Sequence, residues 1–375
     1  MAGIYIHIPF CKQACYYCDF HFSTLPGQRE AMVTAILSEL EMQKGYLQNE
    51  TINTIYFGGG TPSILTSGEL GNILEGINKN FSIAKNPEIT LEANPDDLSL
   101  KKLQELFQLG INRLSIGVQT FHPELLKYLN RAHDEHEAIH CILMARKVGF
   151  EKINIDLIYN IKSDQHQSLR YDLTKIMELK PEHISAYSLT IEPNTVFGNW
   201  KKKGKIKEVK DEYAARQFEL VAEVLEENGY EQYEISNFAQ DQKYSQHNSN
   251  YWKQVKYLGV GPSAHSFDGL SRQYNVANNA QYLKSISSGN IPATKEILDR
   301  KTLVNEHIML GLRTMWGCDL ELLKTKYEFD LIHQNENLVD GMFNKGLIKL
   351  EKDRLLLTKK GKLLADEITA ELLWV

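Results

Sequence analysis

The 375-residue chain, with 42% hydrophobic and 24% charged side chains, is long enough for one large domain and a smaller one and has a soluble globular composition. Its formal net charge of −6 argues against a general nucleic-acid binder, which is usually basic. No apolar run is long enough to cross a bilayer, the N-terminus lacks the pattern of a signal peptide, and five cysteines, three of them clustered, suit a reducing cytoplasm.

The alternation of Ile4, Ile6 and Ile8 predicts a short strand running into Cys11-Lys-Gln-Ala-Cys15-Tyr-Tyr-Cys18, thiols at C-x3-C-x2-C spacing. Three thiols on one loop can converge on a single metal centre, and an odd number cannot all form disulfides. Structural zinc needs four closed ligands, and no pair at zinc-finger spacing completes one. An iron–sulfur cluster is the better fit, with a reactive-thiol loop as the bland alternative. Three cysteines would leave one iron of a four-iron cube without a protein ligand, an open position where chemistry can occur. Cys141 and Cys318 lie far apart and read as buried small hydrophobes.

Helical periodicity over Arg29–Lys44 stops near Gly45, and the β-branched, aromatic stretch Thr51–Phe57 predicts a strand ending at Gly58-Gly59-Gly60. The alternation then predicts helix Gly68–Asn80, strand Glu88–Ala93, helix Ser99–Leu109 and strand Arg113–Gln119. Helix Glu135–Val148, strand Lys152–Leu157, helix Ser168–Leu179 and strand His183–Leu189 follow in the same rhythm. Such alternation implies parallel strands joined by right-handed crossovers. Six units are too few for a closed eight-stranded barrel, so the expected α/β fold is an open, partial (β/α)6 barrel.

The lysine run Lys201-Lys202-Lys203-Gly-Lys205 reads as a solvated surface, or as a docking patch for acidic groups. A long amphipathic helix is expected over Asp211–Asn228, then a strand and loop over Tyr233–Phe238. From about Ala293 the texture changes: helices at Asn305–Gly311 and Leu320–Tyr327, a hairpin turning at Lys352-Asp353, and a last helix over Lys359–Leu373. The expected organisation is therefore a barrel over residues 1–240, a connecting segment over 241–292 and a winged-helix-like domain over 293–375. With an acidic parent chain, packing or partner docking is the expected role of that last domain rather than DNA binding.

In parallel barrels functional residues gather at the carboxyl ends of strands. One rim would then hold the cysteine loop, Gly58–Thr61, Glu92, Gln119, Asp156 and Ser188–Thr190. The glycine run lacks the following GK[ST] of a phosphate cradle and by itself reads as a tight turn. Glu92 and Asp156, taken singly, could each be an ordinary capping carboxylate.

Tyr5-Ile-His7-Ile-Pro9-Phe10-Cys11, the C-x3-C-x2-C loop and Gly58-Gly59-Gly60-Thr61-Pro62 together resemble the radical S-adenosylmethionine superfamily. Within it they are similar to the branch holding the oxygen-independent coproporphyrinogen III oxidases and the haem chaperones of the HemW type. The match runs from Tyr5 into the C-terminal region. It implies a [4Fe-4S] cluster on Cys11, Cys15 and Cys18, with Tyr5 and Tyr17 as its aromatic neighbours. It implies S-adenosylmethionine with its ammonium at the backbone of Gly59, Gly60 and Thr61, and polar contacts from Glu92 and Gln119. Arg131 matches the arginine that pairs with the cofactor's carboxylate, and Asp156 a ribose-hydroxyl acceptor. An external reductant would supply the electron that cleaves the cofactor to methionine and a 5′-deoxyadenosyl radical. After Asp156-Leu-Ile-Tyr159 the relatives continue Gly-Leu-Pro-Gly, where this chain has Asn160-Ile161-Lys162-Ser163, so one wall of the substrate side is expected to differ.

Three features favour the haem-chaperone branch. Phe20 stands where the oxidases carry a further cysteine, the chain starts ten residues before Cys11 where they have a long upstream segment, and His247-Asn-Ser-Asn-Tyr251-Trp252 resembles the HNxxYW stretch of the chaperones. The expectation is a protein that binds haem, with His247 as ligand or contact, and delivers it to haem-requiring proteins, membrane-associated ones included. Oxidative decarboxylation of coproporphyrinogen III is the alternative, a redox-sensing regulator a third reading, and homodimerisation is left open.

Overall fold

The computed structural model describes residues 1–375, the side chain at position 26 excepted. Its first half is built from strands whose apolar residues are buried on both faces, the pattern a parallel sheet covered by helices requires. β1 (Ala2–Ile8) leads to α1 (Arg29–Met42), β2 (Ile52–Gly59), α2 (Ser67–Asn80), β3 (Ile83–Ala93) and α3 (Leu100–Gln108). The series continues with β4 (Arg113–Gln119), α4 (Pro123–Leu129), α5 (Glu135–Val148), β5 (Ile153–Tyr159), α6 (Gln167–Leu179) and β6 (His183–Ser188). Capping boxes start two of these helices, at Thr66 with Glu69 and at Asp134 with Glu137. The six strands pair in chain order, all parallel, as the sequence predicts.

The sheet does not end there. Beyond β6 come α7 (Val196–Lys202), α8 (Asp211–Glu227), β7 (Glu231–Glu234) and β8 (Asn237–Ala239); β8 pairs antiparallel to β6, and β7 pairs antiparallel to β8 at that edge. Then α9 (Gln246–Trp252), β9 (Tyr257–Val260), β10 (His265–Phe267), β11 (Ser271–Asn275), α10 (Asn279–Ser287) and β12 (Ala293–Ile297) follow. β9 pairs parallel to β1 and carries β10, β11 and β12 with it, so residues 241–297 extend the sheet instead of merely connecting two domains. Gly259 permits this close approach: a Cβ there would lie 2.0 Å from the His265 carbonyl oxygen. The twelve strands run β12-β11-β10-β9-β1-β2-β3-β4-β5-β6-β8-β7 with free edges at both ends, an open half-barrel.

A second core lies in the C-terminal region. α11 (Arg300–Leu312), β13 (Cys318–Asp319), α12 (Leu320–Tyr327), α13 (Leu331–Gln334), α14 (Glu336–Asn344), β14 (Ile348–Glu351), β15 (Arg354–Leu357), α15 (Lys359–Lys362) and α16 (Ala365–Leu372) surround Val304, Ile308, Leu323, Leu355 and Ile368. The hairpin turns at Lys352-Asp353, with Lys352 at φ 56°, but the last helix is two pieces broken at Leu363-Leu364. Cys141 and Cys318 are both buried, 1% and 0% exposed, as small core residues.

Candidate active site at the carboxyl rim

The cysteine loop is pinned at both ends and in the middle. Phe10 bridges Ser23, with Cys11 N–H donating to the Ser23 carbonyl at 3.0 Å and Ser23 N–H to the Pro9 carbonyl at 2.9 Å. At the C-cap of α4, Asn130 donates its side-chain amide to the Ala14 carbonyl at 2.7 Å, and Tyr16 N–H donates to the Leu129 carbonyl at 3.1 Å. The glycine run grips the loop from β2: Gly60 N–H donates to the Ile8 carbonyl at 2.8 Å and Thr61 N–H to the Phe10 carbonyl at 2.7 Å. A Cβ on Gly60 would sit 2.6 Å from the Phe10 oxygen, so only glycine fits. These amides are thereby engaged within the fold, which leaves the carbonyls of the run to meet a ligand ammonium.

Cys11, Cys15 and Cys18 are free thiols, half-buried, and line one cavity of about 380 Å³. The same cavity holds Tyr17, Gly59, Gly60, Thr61, Glu92, Gln119, Arg131 and Asp156, so eleven sequence-predicted residues meet there. Thr61 donates its hydroxyl to Cys11 Sγ at 3.3 Å, and Arg131 Nη1 donates to Cys15 Sγ at 3.2 Å. Burial pushes the Cys11 thiol up to about 11, with Cys18 and Cys15 adding to the rise. Thiols that resist ionisation when buried together need a bound cationic centre to become thiolates. Among the described residues no three His, Cys, Asp or Glu side chains converge as the ligands of a single ion. A four-iron cube fits better, because it spreads its thiolates around a larger body.

Arg131 is half-buried, and its Nη2 donates to Asn94 Oδ1 at 2.7 Å and the Gly117 carbonyl at 2.6 Å, while its buried Nε has no partner. Glu92 accepts from the Tyr56 hydroxyl at 2.7 Å and from Gly59 N–H at 3.2 Å. Burial, with nearby Asp156 adding to it, raises its pKa to about 7. Asp156 accepts from the Asn154 amide at 2.7 Å, and burial raises it to about 6. Two carboxyls held above the usual range in one cavity, with no lysine or arginine salt-bridged to either among the described residues, suit a ligand bringing an ammonium and hydroxyls. Gln119 reaches the same space from the end of β4 in a left-handed conformation, φ 69°, where the register with β5 shifts.

Two predicted residues lie elsewhere. The Tyr5 ring stacks on Tyr56, centroids 6.0 Å apart, and faces a second cavity on the far side of Glu92 instead of the thiols. His247, 1% exposed, stacks on Tyr56 and Tyr5 on the cavity-bearing face of the sheet, with Nδ1 bonded to Thr54 Oγ1 and Nε2 to the Tyr251 hydroxyl, both at 2.8 Å. Both ring nitrogens are engaged within the fold, and His247 lines neither cavity. The sequence reading missed Asn94, Tyr56 and Asn154. Asn154 carried a signal: at i, i+2 from Asp156 on one strand, it shares that residue's face.

An open parallel half-barrel with three cysteines on the loop after its first strand and carboxyls facing them at the same rim defines the class of radical S-adenosylmethionine proteins. The Radical SAM superfamily model matches residues 5–171, and the HemN C-terminal domain model matches residues 298–364. The chain is 35% identical to the Heme chaperone HemW of Bacillus subtilis over 98% of each chain, and 33% identical to that of Lactococcus lactis over 97% and 95%. It is 38% identical to the Escherichia coli Heme chaperone HemW over 70% of this chain and 69% of that one. Among solved structures, the coproporphyrinogen III oxidase HemN from Escherichia coli superposes with a TM-score of 0.86 over 99% of this chain and 89% of that one; at 23% identity this shows the shared fold. The chain belongs to the HemW family of the radical S-adenosylmethionine superfamily, whose cofactors are a [4Fe-4S] cluster and S-adenosylmethionine.

Proposed function

We propose that the chain is a haem chaperone: it binds haem and delivers it to haem-requiring proteins, with a cluster on Cys11, Cys15 and Cys18 and S-adenosylmethionine in the adjoining cavity. The observation that carries this reading is similarity to the Bacillus subtilis Heme chaperone HemW along 98% of both chains. When bound, the cluster and cofactor supply one-electron chemistry, and the protein supplies position and exclusion of water.

Thr61 and Arg131 each donate a hydrogen bond to a thiol sulfur and so favour the thiolate that a cluster needs. The carbonyls of Gly59 and Gly60, with Glu92, receive the cofactor's ammonium. Arg131 Nε–H, buried and without a partner, is the donor left for its carboxylate. Asp156, held by Asn154 and Ser115, accepts from the ribose hydroxyls, and Gln119 bonds the remaining polar edge. Tyr17 lies beside Cys15, Cys18 and Arg131 in the wall of the same cavity. An external electron donor and haem-requiring acceptors, membrane-associated ones included, complete the scheme, and sedimentation of the loaded protein decides whether it works as a homodimer.

The test is to give anaerobically reconstituted protein haem and, separately, coproporphyrinogen III. Saturable haem binding without decarboxylated product is expected; turnover of coproporphyrinogen III would replace this reading with the oxidase.

A further inference from the structure

Asp156 does not stand alone on the inner face of the half-barrel. Beside it lies a set of buried polar side chains: Ser115 on β4, Asn154 on β5, His183 and Ser185 on β6, and Tyr233 on β7. The parallel register of β5 and β6 sets Asn154 opposite His183 and Asp156 opposite Ser185, and residues two apart on a strand share a face. Polar groups buried in this way are costly unless each is paired, and the pairing here runs in one order.

A carboxylate only accepts, so the Asn154 amide nitrogen faces Asp156 and donates to Oδ1 at 2.7 Å. Its second hydrogen goes to Ser115 Oγ at 2.7 Å, and the Ser115 hydroxyl donates to Asp156 Oδ2 at 3.3 Å, so both carboxylate oxygens are held. The Asn154 oxygen is thereby turned to His183, 2.6 Å from Nδ1, which carries the ring proton. Nε2 is left to accept, and the Tyr233 hydroxyl lies 2.6 Å from it. Burial and the nearby Arg113 charge hold His183 well below its ordinary pKa, so the ring is neutral and keeps one donor and one acceptor. Tyr233, His183, Asn154 and Asp156 form a chain in which every donor points toward the carboxylate, the arrangement in which successive hydrogen bonds strengthen one another. The far end of the chain is held by the C-terminal region. Met315 N–H donates to the Tyr233 carbonyl at 3.0 Å, Ile235 N–H donates to the Arg313 carbonyl at 3.1 Å, and the Trp316 ring lies 6.0 Å from that of Tyr233.

We propose that His183 and Tyr233 are positioning residues for the cofactor: their one-way chain fixes the Asn154 amide and, through it, orients the Asp156 carboxylate for the ribose hydroxyls. The proposal rests on the reading above that Asp156 accepts from the ribose, and it adds two side chains that do not touch the cofactor. Neither His183 nor Tyr233 lines the cofactor cavity. Because Tyr233 is seated by Met315 and Trp316, the packing of the C-terminal region on β7 sets the first donor of the chain.

The test is a calorimetric titration of anaerobically reconstituted protein with S-adenosylmethionine and, separately, with its 2′,3′-dideoxy analogue, which lacks the ribose hydroxyls. Tyr233→Phe removes one hydroxyl and keeps the ring. It should weaken S-adenosylmethionine binding about threefold to tenfold, the worth of one buried hydrogen bond, and leave the analogue's affinity unchanged. His183→Leu should lose more, and His183→Asn, whose amide reproduces the Nδ1–H donor, should recover part of that loss. Circular dichroism and iron content identify the variants that are folded and carry the cluster. A merely structural role would weaken both ligands alike; that result, or wild-type affinity for both in Tyr233→Phe, would overturn the relay and leave the ribose contact intact. Wild-type protein that binds the analogue as tightly as S-adenosylmethionine would overturn the ribose contact of Asp156, and the relay with it.

Discussion

Replacing His247 by Ala separates a positioning histidine from a haem ligand. The substitution strands two hydroxyls, Thr54 Oγ1 and Tyr251 Oη, whose only side-chain partner is that ring. Thr54 is fully buried, and a buried hydroxyl left unpaired costs about 1–3 kcal/mol. Loss of the ring's packing against Tyr56, centroids 5.0 Å apart, adds a large-to-small term of about 2 kcal/mol. The expected destabilisation is therefore about 4 kcal/mol or more, and pairing the change with Thr54→Val should recover about 1 kcal/mol of it by removing one stranded group. The assay is anaerobic urea unfolding followed by circular dichroism, with a haem titration of each variant under native conditions. A Soret maximum kept in the folded fraction of His247→Ala marks a positioning ring, and a lost one marks a haem ligand. A variant within about 0.5 kcal/mol of wild type would refute this packing of the ring.

Ala at Cys11, Cys15 or Cys18 should each abolish the cluster, read as loss of the about four irons and four sulfides per chain that a cube requires. Ala at Cys141 or Cys318, both buried away from the cavity, should keep iron content and cost only stability. Glu92→Gln should keep the cluster but lose the cofactor's effect on its electron-spin spectrum. Folded Glu92 titrates at about 7 against an ordinary 4.5, so the folded chain holds the extra proton and this stabilisation is lost as pH rises through about 7. Buried His7 and His247 are depressed to about 4 and about 3 and act in the opposite sense, so the readout is the difference between variants. Without cofactor, Glu92→Gln should gain stability relative to wild type between about pH 5 and 8, and a pH-independent difference would contradict the buried-carboxyl assignment. Gly60→Ala should prevent cluster assembly, because its Cβ meets the Phe10 and Ile8 carbonyls at 2.6 and 2.8 Å; normal iron loading would contradict the packing.

The six parallel strands were legible because each is a short apolar run between a turn and a helical pattern. Their C-terminal ends then placed Glu92, Gln119 and Asp156 on one rim with the cysteines. What escaped depends on pairing between distant segments. β9 is four residues long, and only its docking on β1, some 250 positions away in sequence, makes it a strand. α4 and α7 are seven residues each, too short for a 3.6-residue period to emerge. Tyr5 lies one residue out of step with Ile4 and Ile6, so it faces the opposite side of the strand, but nothing local tells which of two cavities lies there. His247 carried a recognisable motif, and its burial behind Thr54 and Tyr251 became visible only once β2 and α9 were packed. The second cavity draws on β1, the cysteine segment, β9 to β11, α9 and α11, an assembly no sequence window contains.

Haem transfer tests the account most directly. Anaerobically reconstituted protein, loaded with haem and freed of excess, is mixed with a haem-free acceptor protein, and the Soret band of each partner is followed, with and without S-adenosylmethionine. The account predicts saturation at one haem per chain and then movement of that haem to the acceptor. A chain that takes up no haem, or that instead releases carbon dioxide from coproporphyrinogen III under the same reducing conditions, would contradict it.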